Sequence, residues 1–141
     1  MFAQIIMPML TPVLTGAVVT FAFGYLWYGV VFAKQWMSLS GRMDMSTPTR
    51  GAMVKSMLIK FLMNILIAAG VFLVSLIPQS LKYSFIVTSF AYIGFVFTHQ
   101  IDGYLWGGHS FKLVMFDTAY QVLSFALLVT TMFYMMQRVA L

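Results

Sequence analysis

Long apolar runs separated by short polar segments dominate the chain. Four of these runs reach the ~20 residues that an α-helix needs to cross the hydrocarbon core of a bilayer. Because backbone polar groups find no water at that depth, each run is expected to be helical. The pattern predicts a single all-α transmembrane domain over residues 1–141, folded as a four-helix bundle with helices at about residues 10–32, 53–77, 83–101 and 111–136.

The composition also indicates a membrane protein. The 141 residues are 62% hydrophobic and only 8% charged, whereas soluble domains carry about 25% charged residues. The net charge is +5, but the basic residues lie between the apolar runs, where membrane topology places them. The lipid bilayer is therefore the expected partner, and nucleic acid is not. The absence of cysteine excludes disulfides, thiolate metal sites and cysteine nucleophiles.

Lysine and arginine are distributed unequally between the two predicted membrane faces. The loop at about 33–52 and the turn before the fourth helix share one face, with basic residues in or next to them: Lys34, Arg42, Arg50, Lys55 and Lys112. The opposite face carries only Lys82 and Arg138. The positive-inside rule then predicts that the loop is cytoplasmic. Both termini are expected outside, in a bacterial inner membrane.

A four-residue motif occurs twice. Gly-Tyr-Leu-Trp stands at 24–27, near the end of the first predicted helix, and again at 103–106, near the end of the third. A duplicated helical hairpin, with a two-fold axis along the membrane normal, would produce this repeat. Aromatic anchors at the membrane interface would also produce it, so both explanations stay open.

Small and aromatic residues follow one face of the first helix. Glycine and threonine at every fourth position allow helix backbones to approach closely, and close packing drives helix association in lipid. Aromatic residues extend this face of the first helix to the membrane–water interface. The predicted helix-packing and interface motif consists of Gly16, Thr20, Gly24, Trp27, Tyr28 and Trp36.

Polar residues of the other helices are predicted to meet in the cytoplasmic half of the bundle. This predicted polar cluster consists of Lys60, Asn64, His99, Asp102, Asp117 and Gln121. An ionised side chain at mid-membrane costs at least ~2.5–3.5 kcal/mol, so Lys60 and Asp117 are expected to pair. Such a cluster could relay protons, bind a polar headgroup or admit a small solute. Alternatively it is structural, with Lys60 extending to the interface.

Signatures of catalysis and of cofactors are absent from the sequence. No Gly-x-Ser-x-Gly, His-Glu-x-x-His, Walker or Gly-x-Gly-x-x-Gly motif occurs. The 13 methionines could suggest copper, but they are scattered and methionine is an ordinary packing residue. Asp102, His109 and Ser110 lack an oxyanion-hole motif that would complete a catalytic triad. The chain is predicted not to be an enzyme and to need no metal or other cofactor.

The segment from Gly24 to Met37 resembles the hallmark of the domain of unknown function 1761 family, which consists of small, mostly bacterial membrane proteins. The resemblance rests on an aromatic pair that closes the first helix, followed by Phe, a basic residue and Trp: Trp27, Tyr28, Phe32, Lys34 and Trp36. Gly29 departs from the family pattern, which has a small polar residue followed by proline. The resemblance implies about four helices, and it implies no activity or catalytic residues.

Three functions are compatible with these observations. The leading interpretation is a non-enzymatic accessory or structural bundle that self-associates or docks in a larger membrane complex, because four short helices leave little room for a substrate cavity. The second is a small homodimeric transporter or channel that uses the polar cluster. The third is a lipid- or cofactor-binding membrane protein. A water-filled cavity at Asp117 would favour transport, and a bound ligand would favour the third function.

Overall fold

The computed structural model of the protein describes residues 2–42, 49–76 and 80–139. Within these ranges the chain is almost entirely helical and has no β-strand, which confirms the predicted all-α membrane bundle. Four helical stretches, called here the first to fourth spans, are long and apolar enough to cross a membrane: Pro8–Val31, Arg50–Ser75, Leu81–Leu105 and Phe111–Arg138.

The first span belongs to a helix that begins earlier than the sequence predicts. Helix α1 covers Phe2–Tyr25, so Pro12 lies inside it and not in a first turn near residue 10. A membrane helix tolerates proline where neighbouring groups satisfy the freed carbonyl, and the apolar residues before Pro8 continue the span. Beyond α1 the chain runs through a first π-helical segment, Leu26–Val31, into the short helix α2, Ala33–Leu39.

The remaining helices also differ from their predicted limits. Helix α3 covers Arg50–Ser75, so it ends before residue 77, and it starts before residue 53 because the Thr49 hydroxyl accepts a hydrogen bond from the Ala52 amide at 3.3 Å. The third span is α4 (Leu81–Ala91), a second π-helical segment (Tyr92–Phe97) and α5 (Thr98–Leu105). Helix α6 covers Phe111–Val139. The predicted tight turn at 78–82 and the middle of the 33–52 loop lie partly outside the described residues.

Helices α1, α3 and α6 share one apolar core. Its buried members come from all three helices: Val13, Ala17, Ala68, Val71, Phe72, Leu128, Val129 and Met132. Helix α1 makes its most extensive contacts with α3 and α6, while the third span packs mainly on α6. The core therefore lies toward the end of the bundle where α1 begins and α3 ends.

The small residues of α1 lie in this interface. A Cβ atom on Gly16 would stand 2.6 Å from the Met132 Cε atom and 2.7 Å from the Leu128 Cδ1 atom, so a larger residue would require the ends of these two side chains to shift. Thr20 is buried, and its hydroxyl donates to the Gly16 carbonyl at 2.9 Å. A Cβ atom on Gly24 would lie 2.7 Å from the Tyr120 hydroxyl.

The two Gly-Tyr-Leu-Trp copies adopt different structures. The first passes from the end of α1 into the π-helical segment, and its Trp27 is half-buried. The second lies in α5, and its Trp106 is 86% exposed just after that helix ends. The hairpin duplication stays a prediction, since these copies share sequence and position in their spans but not local geometry.

The two ends of α3 differ in burial. Every residue from 51 to 60 is exposed, whereas the second half of the helix contributes Asn64, Ala68 and Ser75 to the interior. Helix α3 therefore packs against the bundle only from about Phe61 onward. Its first half borders a cavity, at what we call the α2 end of the bundle.

Candidate functional site

An aromatic cluster fills the space between α1 and α6 at the α2 end. The Trp27 ring lies between Phe32, at a centroid distance of 4.5 Å, and Phe116, at 5.7 Å. The Tyr120 ring is 4.7 Å from the Tyr28 ring and nearly perpendicular to it. Edge-to-face pairs of this kind each add about 0.5–1.5 kcal/mol beyond burial. The cluster holds the first π-helical segment, which carries Trp27 and Tyr28, against α6.

Asp117 binds a tyrosine and not a lysine. The Tyr28 hydroxyl donates to Asp117 Oδ1 at 2.8 Å, and the two side chains join the first and fourth spans. The expected Lys60–Asp117 pair is wrong, because Lys60 lies on α3 at the cavity, whereas Asp117 does not line it. Tyr28 takes part in both environments, since its ring lines the cavity and its hydroxyl binds Asp117.

The other members of the predicted polar cluster are dispersed. His99 and Asp102 are exposed on α5, and Gln121 is half-buried on α6. The polar contact that does join the third and fourth spans was not predicted: the Thr118 hydroxyl donates to Gln100 Oε1 at 2.9 Å. Of the six residues, only Lys60 and Asn64 line the same cavity.

The cavity has a volume of about 750 Å³. Its walls come from the end of α1, the first π-helical segment, α2 and the residues just after it, α3 as far as Asn64, and one residue of α6: Phe21, Gly24, Tyr25, Tyr28, Gly29, Trp36, Met37, Arg42, Ala52, Met53, Ser56, Met57, Lys60, Asn64 and Tyr120. Tyr25 is 54% and Met53 45% exposed, so the cavity opens to the surroundings. Its volume lies within the range of about 300–1,000 Å³ typical of small-molecule sites.

Polar groups in the cavity wall form a stripe on α3. Ser56, Lys60 and Asn64 are spaced by four residues, which places them on one face of the helix. Lys60 lies about 15 Å from the first residue of α3, at 1.5 Å per residue. Asn64, one turn deeper, is only 4% exposed. Among the described residues and their contacts, its Nδ2 atom has no hydrogen-bond partner.

An arginine and a tryptophan mark the outer end of the cavity. The Arg42 guanidinium lies 5.0 Å from the centre of the Trp36 ring, in the geometry of a cation–π interaction. The Trp36 ring also meets the edge of Tyr28, with centroids 5.7 Å apart. Trp36 thus connects α2 to the first π-helical segment. It places Arg42 beside the opening, where a charged group can reach both water and a bound molecule.

Most of the cavity wall is apolar. Its polar side chains are an ammonium and a guanidinium, which only donate hydrogen bonds, and an amide and hydroxyls, which both donate and accept them. Within the described residues, no group of three or more histidine, aspartate or glutamate side chains could hold a metal ion. Nothing in the wall resembles a nucleophile with an adjacent base. An amphiphilic molecule matches an apolar wall with a few donors at one side.

The residue pattern did not reveal the cavity, because four short helices were expected to leave little room for one. A weak signal was present, because the first half of α3 carries Lys55 and Lys60 among apolar residues and therefore has no continuous packing face. The π-helical segments were also missed. Such segments shift the faces of a helix and are frequent at functional sites. The first one turns Tyr28 toward both Asp117 and the cavity.

Comparisons with known proteins gave one family. A family model described as "Protein of unknown function (DUF1761)" matches residues 11–133. No curated protein and no solved structure matches the chain. The matched residues include the second and third spans, most of the first and fourth, and every residue of the cavity wall.

Proposed function

The chain belongs to the DUF1761 family of proteins of unknown function, and from that premise we propose that it is a non-enzymatic membrane protein that binds an amphiphilic molecule of the bilayer. The observation that carries this proposal is the cavity of about 750 Å³, whose mostly apolar wall contains Lys60 and Arg42 and, among the described residues, no acidic side chain. A molecule with an apolar part and an acceptor-rich polar part is complementary to such a wall.

The shape and lining of the cavity support a ligand that comes from the membrane. Phe21, Met53 and Met57 give the wall an apolar surface, whereas Arg42 stands at the outer end. Methionine side chains adapt to ligands of irregular shape. An acyl chain along the apolar wall and a headgroup near Lys60 would fill the cavity without breaking a contact of the core.

An accessory or structural bundle, which self-associates or docks in a larger complex, is the second candidate. It is favoured by the third span, where Phe90 is 74% and Phe95 80% exposed. Another membrane helix can cover these side chains, as can lipid tails, which are equally apolar. A homodimeric transporter or channel has less support, because the cavity does not include Asp117. Ligand binding and assembly are also compatible with each other.

The direction of insertion belongs to the same proposal. Arg42, Arg50, Lys55 and Lys112 all lie at the α2 end, and the positive-inside rule assigns that end to the cytoplasm. We propose a bacterial inner membrane with both termini outside. The ligand would then enter from the cytoplasmic leaflet.

Native mass spectrometry after gentle extraction from the native membrane tests the binding proposal. The wild-type chain is expected to retain one small molecule, and Ser56→Phe is expected to lose it because the ring occupies the cavity. Leu58→Phe is the matched control, since Leu58 is 59% exposed on the same helix and does not line the cavity.

Two results would overturn the binding proposal. One is a wild-type chain that carries no small molecule, and the other is equal retention by Ser56→Phe. Foreign subunits at fixed stoichiometry without a bound molecule would establish the accessory function instead.

A further inference from the structure

Two cationic side chains line the cavity, one from α3 and one from the end of the segment that follows α2. The Lys60 ammonium offers three N–H donors, the Arg42 guanidinium offers five, and neither group has an acceptor. Two such groups are complementary to a ligand group with several negatively charged oxygen atoms.

The charges of the cavity wall have one sign. Arg42 and Lys60 line it, and no acidic side chain does so among the described residues. Of the three acidic residues in the chain, Asp117 accepts from Tyr28 and Asp102 is exposed on α5. The third, Asp44, lies outside the described residues. The described structure contains no ion pair that would neutralise Lys60 inside the membrane-spanning helix α3.

We propose that the cavity selects a phospholipid with an anionic headgroup, whose phosphate oxygens bind Lys60 while an acyl chain lies along the apolar wall. This inference rests on the binding function proposed above and names its ligand class. Arg42 at the outer end of the cavity provides a second cation for the headgroup. Its stacking on Trp36 holds the guanidinium near the opening.

The apolar wall favours a lipid over a free anion. Inorganic phosphate would leave the surfaces of Phe21, Tyr25 and Met57 without contacts, whereas an acyl chain covers them. Burial of a CH₂ group favours binding, so the tail contributes affinity and the headgroup contributes selectivity. A basic residue near a membrane surface attracts an anionic lipid by about 1 kcal/mol, which corresponds to a factor of about five in affinity.

The test reconstitutes the full chain in nanodiscs that contain equal amounts of phosphatidylglycerol and phosphatidylcholine. Native mass spectrometry after transfer to detergent then counts the retained lipid of each class. The wild-type chain is expected to retain at least about five times more phosphatidylglycerol than phosphatidylcholine, because Arg42 adds to the contribution of Lys60. Lys60→Gln is expected to lower that ratio about fivefold, and Lys60→Arg is expected to keep it.

Lys55→Gln is the matched control for Lys60→Gln. Lys55 lies on the same exposed half of α3 but does not line the cavity, so its substitution is expected to leave the ratio unchanged. Circular dichroism of every variant verifies the helical content. The Lys60→Arg variant keeps the test valid if Lys60→Gln does not fold.

The possible outcomes separate the two proposals. If both lipids are retained equally and Ser56→Phe removes both, the binding function stands and the selectivity for anions is wrong. If the wild-type chain retains neither lipid, the binding function is wrong as well. A ratio that survives in Lys60→Gln, or displacement of phosphatidylglycerol by inorganic phosphate alone, would overturn the assignment of Lys60 to a lipid headgroup.

Discussion

Replacement of Asn64 by leucine should stabilise the ligand-free protein and leave its response to lipid unchanged. Asn64 is 4% exposed, and its Nδ2 atom lacks a partner among the described residues. An unsatisfied buried donor costs about 1–3 kcal/mol, and Asn64→Leu removes it. The different shape of leucine in the packed interior lowers the free energy of unfolding by less than about 1.5 kcal/mol. The expected net effect is a gain of about 1 kcal/mol in the free energy of unfolding.

The assay is reversible unfolding in ligand-free detergent, followed by circular dichroism. Phosphatidylglycerol is then added to each protein. Because a ligand that binds only the folded state stabilises it in proportion to its saturation, the wild-type chain and Asn64→Leu should gain similar stability. The Asn64→Leu variant should therefore stay the more stable of the two as lipid is added.

Thr20→Val is the matched control for Asn64→Leu. Thr20 is equally buried, at 5% exposure, but its hydroxyl donates to the Gly16 carbonyl at 2.9 Å. Thr20→Val should lower the free energy of unfolding by about 0.5–1 kcal/mol, and it should leave the stabilisation by lipid unchanged. The reasoning is refuted if Asn64→Leu destabilises the ligand-free protein by more than about 1 kcal/mol. That result would mean that the amide already has a partner within the folded chain.

Three further predictions follow from the packing and from the proposed topology. Tyr28→Phe should lower the free energy of unfolding by about 0.6–1.7 kcal/mol, the range for hydrogen bonds between membrane helices. Asp117→Asn keeps an acceptor for the Tyr28 hydroxyl and should lower it less. Unfolding in detergent measures both variants. Gly16→Ala should lower the free energy of unfolding by about 1 kcal/mol because its Cβ atom meets side chains of α6. Gly70→Ala is the control and should be neutral or stabilising, because nothing lies within 4 Å of its Cβ position. A reversed order of stability would contradict the packing of α1. A cysteine placed within 33–52 should react with a membrane-impermeant maleimide only after cell lysis, and labelling of intact cells would reverse the topology.

The sequence predicted the spans because their signals are local. Twenty apolar residues in a bilayer leave the backbone no alternative to a helix. The limits of the spans were less certain, because α1 continues through Pro8 and Pro12 and α5 continues through polar residues to Leu105. Both extensions depend on neighbouring helices and on the interface, which the residue pattern alone does not describe.

The site was harder to predict because it depends on how helices rotate and incline. Lys60, Asp117 and Tyr28 were all placed at a similar depth, and opposite charge favoured the lysine as the partner of the aspartate. The structure turns Tyr28 toward α6 through the π-helical segment, so a hydroxyl binds Asp117. The cavity arises because α3 packs on the bundle only in its second half, a property of two helices together and not of either sequence.

Photocrosslinking tests most directly whether the cavity holds a lipid. The full chain in nanodiscs would receive phosphatidylglycerol with a diazirine in its acyl chain, and peptide mass spectrometry would locate the adducts after illumination. The account predicts adducts at Tyr25, Met53 and Met57 that excess unlabelled phosphatidylglycerol removes and that Ser56→Phe prevents. Adducts spread evenly over the exposed surface of α3, including Leu58, and unchanged by either treatment would contradict it.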